Sequence, residues 1–400
     1  MSNIVITQMG SRLVAAGYQD GKPQWFECGS KDSSRILGNI YVGKVMTVVK
    51  NIQAAFVQIQ DNITCYYSLK DNPEPVFVKR IGKTELVQGD EILVQVSKEA
   101  LKTKDPVATS NLNLPGRYMA ITTKDQSIGL SNKFSKKKRE ELKAFFCTLP
   151  ERNFGIVVRT NAGNATSEEL LTEYQRLSAL YKKLVETSIY RTVYSKVYTA
   201  EDFYIQQIRN AYEGTLDKII TDDPQVYKEI KSYLEDYQPE DLKKLVFYED
   251  STPPLCALYN LRRDFERALQ KNVWLKSGAY LVIEPTEACT VIDVNTGKYD
   301  GKSKDEEKTF LKINLEAAQE VANQIRLRNL SGIILVDFID LSKEEHRKTL
   351  LSQLQSFLKA DPIPTHLVDM TGLQLVEITR KKVKKPLHEQ ITLSEMKSPK

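Results

Sequence analysis

Short apolar runs punctuated by turn residues open the chain: NIVITQ, then SRLVAAGY, a polar turn at 19–22 (QDGK), and PQWFE. Runs of this length bounded by Gly, Asn or Asp predict β-strands. The same rhythm continues from about 35 to 110 through LGNIYVGKVMTVV, QAAFVQI, TCYYSL and DEILVQVSKE, at the spacing of a small barrel. Gly38 and Gly43, set among Ile40, Val42 and Val45, suit a strand that must bend around such a barrel. After 115 the period changes. RYMAITT and FGIVVRTNAG read as strands, whereas SKKKREELKAFFCTL and TSEELLTEYQRLSALYKKLVETS carry helical spacing. The second helix begins at Thr166 or Ser167 as N-cap, with Glu168 and Glu169 in its first turn. Helical patterns dominate 200–270 around one strand candidate, KLVFYED. From there YLVIE, CTVIDV, a helix over about 305–328, GIILVDFI, a helix over about 342–358, THLVDM and LQLVEITR alternate. Alternation of this kind predicts an α/β layer around a largely buried sheet.

Two of these runs carry candidate chemistry. Asp293 and Asn295 stand two apart at the end of CTVIDV, so on a strand they share one face while Ile292 and Val294 take the other. GIILVDFIDL delivers Asp337 and, just beyond, Asp340. The intervening helix suits a strand-helix-strand crossover, which would set Asp293 and Asp337 side by side at one sheet edge. Adjacent carboxylates repel unless a cation lies between them. Magnesium, which takes oxygen ligands from one or two carboxylates and retains water, is the expected occupant. Asn295 would orient water or a phosphate oxygen. A plain Asx turn at 293–295 is the competing account, and Asp340 is either a secondary ligand or the cap of the next helix. A calcium loop is disfavoured because its sixth and twelfth positions are Lys298 and Lys304.

Composition narrows the field. With 400 residues the chain has room for two to four domains. No run approaches the roughly 18 apolar residues of a membrane span, and the opening MSNIVITQMGSRLV lacks a secretory layout, so a cytoplasmic location is expected. Five cysteines (Cys28, Cys65, Cys147, Cys256, Cys289) without a C-x-x-C argue against a local zinc site. His346, His366 and His388 read as surface residues, and there is no Walker loop, dinucleotide fingerprint or G-x-S-x-G, which leaves metal-assisted hydrolysis. The net charge of +5 is too mild to name a partner, but KFSKKKRE at 133–140 and RKKVKK at 380–385 are patches of the kind that neutralise phosphates. Among Tyr41, Phe56, Tyr66 and Tyr67, Phe56 and one of the adjacent tyrosines read as a base-stacking platform and Tyr41 as core.

Taken together, GNIYVGKV…QAAFVQI, LPGRYMAI, GIVVRTNAGNAT, TEACTVIDVNTGK, INLEAAQEVANQIRLRNLSGIILVDFIDL and LQLVEITRKK resemble, in order and spacing, the ribonuclease E/G family of endoribonucleases. The resemblance implies cleavage of single-stranded RNA to 5′-phosphate and 3′-hydroxyl ends, in RNA processing or turnover, with Mg2+ held by Asp293 and Asp337 and assisted by Asn295. It implies a multidomain α/β fold. An RNase-H-like subdomain (1–34 and 204–268) is interrupted by an OB-fold barrel (35–110) and a 5′-sensor subdomain (111–203), then followed by a DNase-I-like catalytic subdomain (269–389) and a tail (390–400). It also implies a 5′-monophosphate sensor at Gly116, Arg159 and Thr160, with pairing of Arg159 to an acid as the competing account. RNA contacts are implied at Phe56, Tyr66 and Lys104, with Tyr67 as second choice.

The chain departs from the family pattern in three places. GLSNK puts Asn132 at a sensor arginine, and KD puts Asp105 where a glycine is usual. The C-P-x-C zinc link is missing after the last strand, so no zinc is expected and any homo-oligomer would form without it. The alternatives are a non-catalytic RNA-binding protein and a phosphodiesterase acting on DNA.

Overall fold

A computed structural model describes residues 2–29, 36–83, 85–100, 105–131, 133–150, 152–211, 214–250, 252–297 and 306–391. Contacts divide the chain into two units, Met1–Lys31 with Thr215–Lys400, and Asp32–Gly214. Lys104, Asn132, Lys298 and Lys304, together with most of the tail, lie outside the described residues.

The Asp32–Gly214 unit holds a barrel. Strands Ile40–Val49, Ala54–Gln60, Ile63–Ser68, Val107–Thr109 and Glu91–Lys98 pair in that order, and the last pairs back to the first, closing a five-stranded ring of the OB-like kind. Gly43 shows why glycine sits in the closing strand: a β-carbon there would lie 2.5 Å from Val57 Cγ1. Four further strands form a second sheet, in which Met119–Thr122 and Gly155–Val158 are central. The helices Lys136–Cys147 and Ser167–Ser188 bury Leu142, Phe146, Leu170 and Leu177 in that sheet's core. Thr166 caps the second helix in a reciprocal box with Glu169.

In the other unit, the opening hairpins join a five-stranded sheet in which Ser2–Met9 runs parallel to Leu216–Thr221. The QDGK turn is made by Asp20 and Gly21, both with positive φ. The second sheet positions the site. Its strands are β1 (Asn272–Trp274), β2 (Tyr280–Pro285), β3 (Cys289–Asn295), β4 (Gly332–Asp337), β5 (Thr365–Met370) and β6 (Leu375–Arg380), in the order β1-β2-β3-β4-β6-β5. Helix α1 (Glu306–Leu327) provides the crossover from β3 to β4, and α2 (Glu344–Leu358) follows β4. Only β3 and β4 are parallel neighbours: α1 returns the chain to the adjacent position, whereas α2 carries it to β5 at the sheet edge, beyond β6. Alanines 317, 318 and 322 with Ile313, Val321 and Ile325 bury one side of α1 in a core shared with Ile292, Ile334, Val336 and Leu350. Among the described residues, no helix is long and apolar enough to cross a membrane.

Candidate active site

The alternation in β3 decides which side chains face away from the helices. Ile292 and Val294 are buried in the core, so Asp293 and Asn295 must point to the opposite side of the sheet. In β4 the buried Ile334 and Val336 do the same for Asp337. The parallel register then sets Asp293 directly opposite Asp337, joining two carboxylates far apart in sequence. Both Asp293 and Asn295 lie within the strand and its ladder, which excludes a plain Asx turn at 293–295.

Electrostatics at this edge are one-sided. The Asn295 amide donates to Asp293 Oδ2 at 2.7 Å, which fixes that carboxylate. The Asp337 carboxyl is held above the usual aspartate range, first by partial desolvation and then by repulsion from Asp293 and Asp340. Among the described residues no Lys, Arg or His pairs with any of these three acids. Nor, among those residues, do three His, Cys, Asp or Glu side chains gather into one metal-holding group. A two-carboxylate, all-oxygen donor set carrying uncompensated negative charge suits a hard divalent cation that retains most of its water, and magnesium is such an ion.

Asp340 is exposed and does not cap α2. Glu307 does so from the start of α1, accepting from the N–H groups of Ser342 and Lys343 at 3.2 and 2.9 Å. These bonds hold the Glu307 carboxyl below the usual range, the Lys343 N–H being the main cause. His346 is no simple surface residue: its Nδ1 lies 3.1 Å from Glu307 Oε1, and its side chain is mostly buried. The fully buried Asn314 on α1 brackets Ile339, donating to its carbonyl at 2.7 Å and accepting from its N–H at 3.1 Å. Asn314 thereby pins the segment between Asp337 and Asp340.

On the barrel, Phe56 and Tyr66 are cross-strand partners and half-buried, with ring centroids 6.3 Å apart in an edge-to-face pair. Two outward rings in register make a surface on which a base can stack. Tyr67 must be withdrawn from the RNA contacts. Strand alternation turns it inward, where it is fully buried and donates to Ser110 Oγ at 2.9 Å, so it has no open face. Burial pushes its hydroxyl up to about 12. Tyr41 is core, as its place in the pattern implied. Asp105 is exposed.

Gly116, Arg159 and Thr160 do converge. Arg159 donates to the Gly116 carbonyl at 2.6 Å and to Asn210 Oδ1 at 2.5 Å, and Thr160 Oγ1 lies 3.1 Å from Ser131 Oγ. The buried Glu173 carboxylate sits beside them, accepting from the N–H groups of Arg117, Tyr118 and Met119 at 2.6, 2.8 and 2.9 Å. It passes so close to Gly116 that a β-carbon there would lie 2.5 Å from its carboxyl carbon, so only glycine is accommodated. Arg159 also helps to offset the half-buried Glu201, whose carboxyl is raised mainly by desolvation.

Comparison with known proteins gives the family. Residues 113–383 match the model of the Ribonuclease E/G family. Ribonuclease G of Haemophilus influenzae is 36% identical over 364 residues, covering 88% of this chain and 74% of the relative. The chain belongs to the ribonuclease E/G family. Ribonuclease G of Escherichia coli K12 is 32% identical over 363 residues (88% of this chain, 74% of the relative), and Ribonuclease E of a Nostoc species is 32% identical over 361 residues (88% and 52%).

For this ribonuclease E/G family member, part of the basic patch at 380–385 is structural. Arg380 is buried, donates from Nε to Asp361 at 2.7 Å, and also bonds Asn329 and the Leu330 carbonyl. Lys384 bonds Glu27 at 2.6 Å. Lys381 and Lys382 are exposed, as are Lys136 and Lys137 in the other patch. The sequence reading did not pick out Asn314, Glu307, Glu173 or Asn210. Each is polar within a helical pattern, and its partner lies in a distant segment that no local spacing reveals. A polar residue on an otherwise apolar helix stripe, as Asn314 is among Ile313, Ala317 and Ala318, was the one available signal.

Proposed function

We propose that this endoribonuclease hydrolyses single-stranded RNA in RNA processing or turnover with Mg2+ held by Asp293 and Asp337, leaving 5′-phosphate and 3′-hydroxyl ends. The observation that carries the reading is the register setting Asp293 opposite Asp337 on the open face of the sheet. When bound, the ion supplies positive charge at the reacting phosphate and lowers the pKa of water there. Asp293 and Asp337 hold the cation, and Asp340 stands near enough to add negative charge. Asn295 keeps Asp293 in place through its amide donation and lies one position further along the same face. Asn314 fixes the strand end that carries Asp337. In the reaction the bond from phosphorus to the 3′-oxygen breaks, water oxygen joins phosphorus, and the 3′-oxygen takes up a proton.

Phe56 and Tyr66 bind unpaired bases on the barrel, where their edge-to-face pair offers a sequence-tolerant stacking surface. Gly116, Arg159 and Thr160 receive a 5′-monophosphate, for which a planar guanidinium and a hydroxyl are suitable donors. In family terms, the sheet containing Ser2–Met9 is the RNase-H-like part, and the β1 to β6 sheet is the DNase-I-like part.

The test is cleavage of one single-stranded RNA oligomer bearing a 5′-monophosphate or a 5′-hydroxyl, with magnesium and then with EDTA, beside a DNA oligomer of the same sequence. Cutting of RNA that EDTA abolishes, and that is faster on the monophosphate, is the expected result. Cutting unaffected by EDTA would overturn the cation site, and equal rates on the two 5′ ends would retire the sensor.

A further inference from the structure

The open face of the β1 to β6 sheet carries more than acids. In register, Trp274 of β1 pairs with Tyr280 of β2, and Tyr280 pairs with Asn295 of β3. Paired residues project to the same side of a sheet, so two aromatic rings lie in a row with the Asn295 amide, one step from the row of Asp293 and Asp337. Trp274 is 68% exposed, although tryptophan is on average a highly buried side chain. Its ring meets that of Tyr280 at 4.9 Å, tilted by 46°. An exposed indole with one supported face gains little for the fold, and it is the form in which aromatics bind flat ligands.

The support beneath the rings is built with care for position. The turn joining β1 to β2 uses Gly278 at φ +87°, and the N–H groups of Lys276 and Ser277 donate to Glu316 on α1 at 2.8 and 3.4 Å. Gly297, just past β3, packs against it: a β-carbon there would lie 2.2 Å from the Gly278 carbonyl oxygen. The aromatic pair and the Asp293–Asn295 strand end are therefore held in one rigid arrangement.

We propose that Trp274 and Tyr280 form a stacking subsite for an unpaired nucleobase flanking the scissile phosphodiester. This rests on Asp293 and Asp337 being the cutting site. Two strand spacings of roughly 4.8 Å separate β1 from β3, which puts Trp274 about 10 Å from Asn295 and a little further from Asp293, within reach of a base one or two nucleotides from the phosphate. Every base has a flat face, so the subsite adds affinity for single strands without selecting a sequence. It also refuses a paired helix, whose bases are already stacked.

The chain has two tryptophans, and Trp25 packs its ring against Gly17 in the other sheet of this unit. A Trp25→Phe, Asp337→Asn chain therefore reports Trp274 fluorescence without cutting the RNA. Titration with a single-stranded oligomer, with binding followed independently by anisotropy of labelled RNA, should quench that fluorescence saturably, and an abasic site at one position of the oligomer should remove the quench. In the otherwise unaltered enzyme, Trp274→Ala should raise KM about tenfold with kcat within about twofold. Trp274→Phe should restore KM, and neither should change the melting temperature. Fluorescence unmoved while RNA binds, a quench indifferent to every abasic position, or a wild-type KM in Trp274→Ala would each overturn the subsite. Failure of the carboxylate reading looks different: the unaltered enzyme would cut equally well in EDTA, while the fluorescence titration still reads the aromatic pair.

Discussion

Two clusters of polar groups in this protein treat charge in opposite ways. At the ends of β3 and β4, Asp293 and Asp337 face each other without a cationic partner among the described residues, and the Asp337 carboxyl is raised by partial desolvation and by repulsion from Asp293 and Asp340. Around Gly116, by contrast, the Glu173 carboxylate is satisfied by three backbone N–H groups, and Arg159 by a carbonyl and an amide. Among the described residues the first cluster carries a repulsion that a cation would relieve. In the second the Glu173 carboxylate and the Arg159 guanidinium are bonded within the protein, so these groups hold a shape, and any ligand there must exchange with bonds already made. Unmatched charge marks where chemistry is to be expected, and matched charge marks where the fold is being held.

The sharpest way to break this contrast is to remove one carboxylate of the unmatched pair. Asp293→Ala or Asp337→Ala should lower single-turnover cleavage by about 10³-fold while leaving thermal stability unchanged or slightly raised, because a repulsion is relieved. Activity near wild type, or a large fall in melting temperature, would dissolve the distinction. The mirror experiment is Glu173→Ala, which orphans three buried N–H groups. It should destabilise its unit by about 3 kcal/mol in denaturant unfolding. An unchanged unfolding midpoint would mean that the nest is not structural.

Smaller effects sharpen the boundary. Arg159→Lys keeps the charge and loses the fork, so the preference for 5′-monophosphate over 5′-hydroxyl RNA should fall about tenfold, with rates on the hydroxyl form unaltered. A preference that survives would leave Arg159 with the structural role alone. Smallest is Glu307→Gln. The folded-state pKa of Glu307 is depressed, so its contribution to stability is present above the ordinary glutamate range and is lost as pH falls through the lower folded value. Melting curves from pH 6 downward should show a shallower acid slope in the variant than in the unaltered chain, and parallel curves would remove Glu307 from the capping role.

Much of this was legible in the order of residues. The alternation CTVIDVN, the apolar run GIILVDF and a helix-period stretch between them suffice to predict a crossover and two carboxylates at one edge, because a parallel return leaves few geometries. Periodicity likewise offered Phe56 and one of the two adjacent tyrosines as an outward pair on the barrel. It did not decide between Tyr66 and Tyr67, since adjacent strand residues exchange faces if the register slips by one, and only barrel closure fixes which faces inward. The run RKKVKK reads as solvated charge, yet Arg380 is buried because Asp361, Asn329 and Leu330 meet it from other segments.

Sequence alone thus determined what depends on neighbours along the chain: strand and helix periods, a helix start at Thr166 or Ser167, the turn at Asp20 and Gly21, and the residue types offered for chemistry. Tertiary structure decided what depends on neighbours across it. It set Asp293 opposite Asp337, gave Glu307 the cap of α2, filled the turn at Gly116 with Glu173, and left Trp274 exposed in the row that runs through Tyr280 to Asn295. The physical reason is that hydrogen bonds, repulsion and burial act over a few ångströms of space, and a distance in sequence says little about a distance in space until the register is fixed.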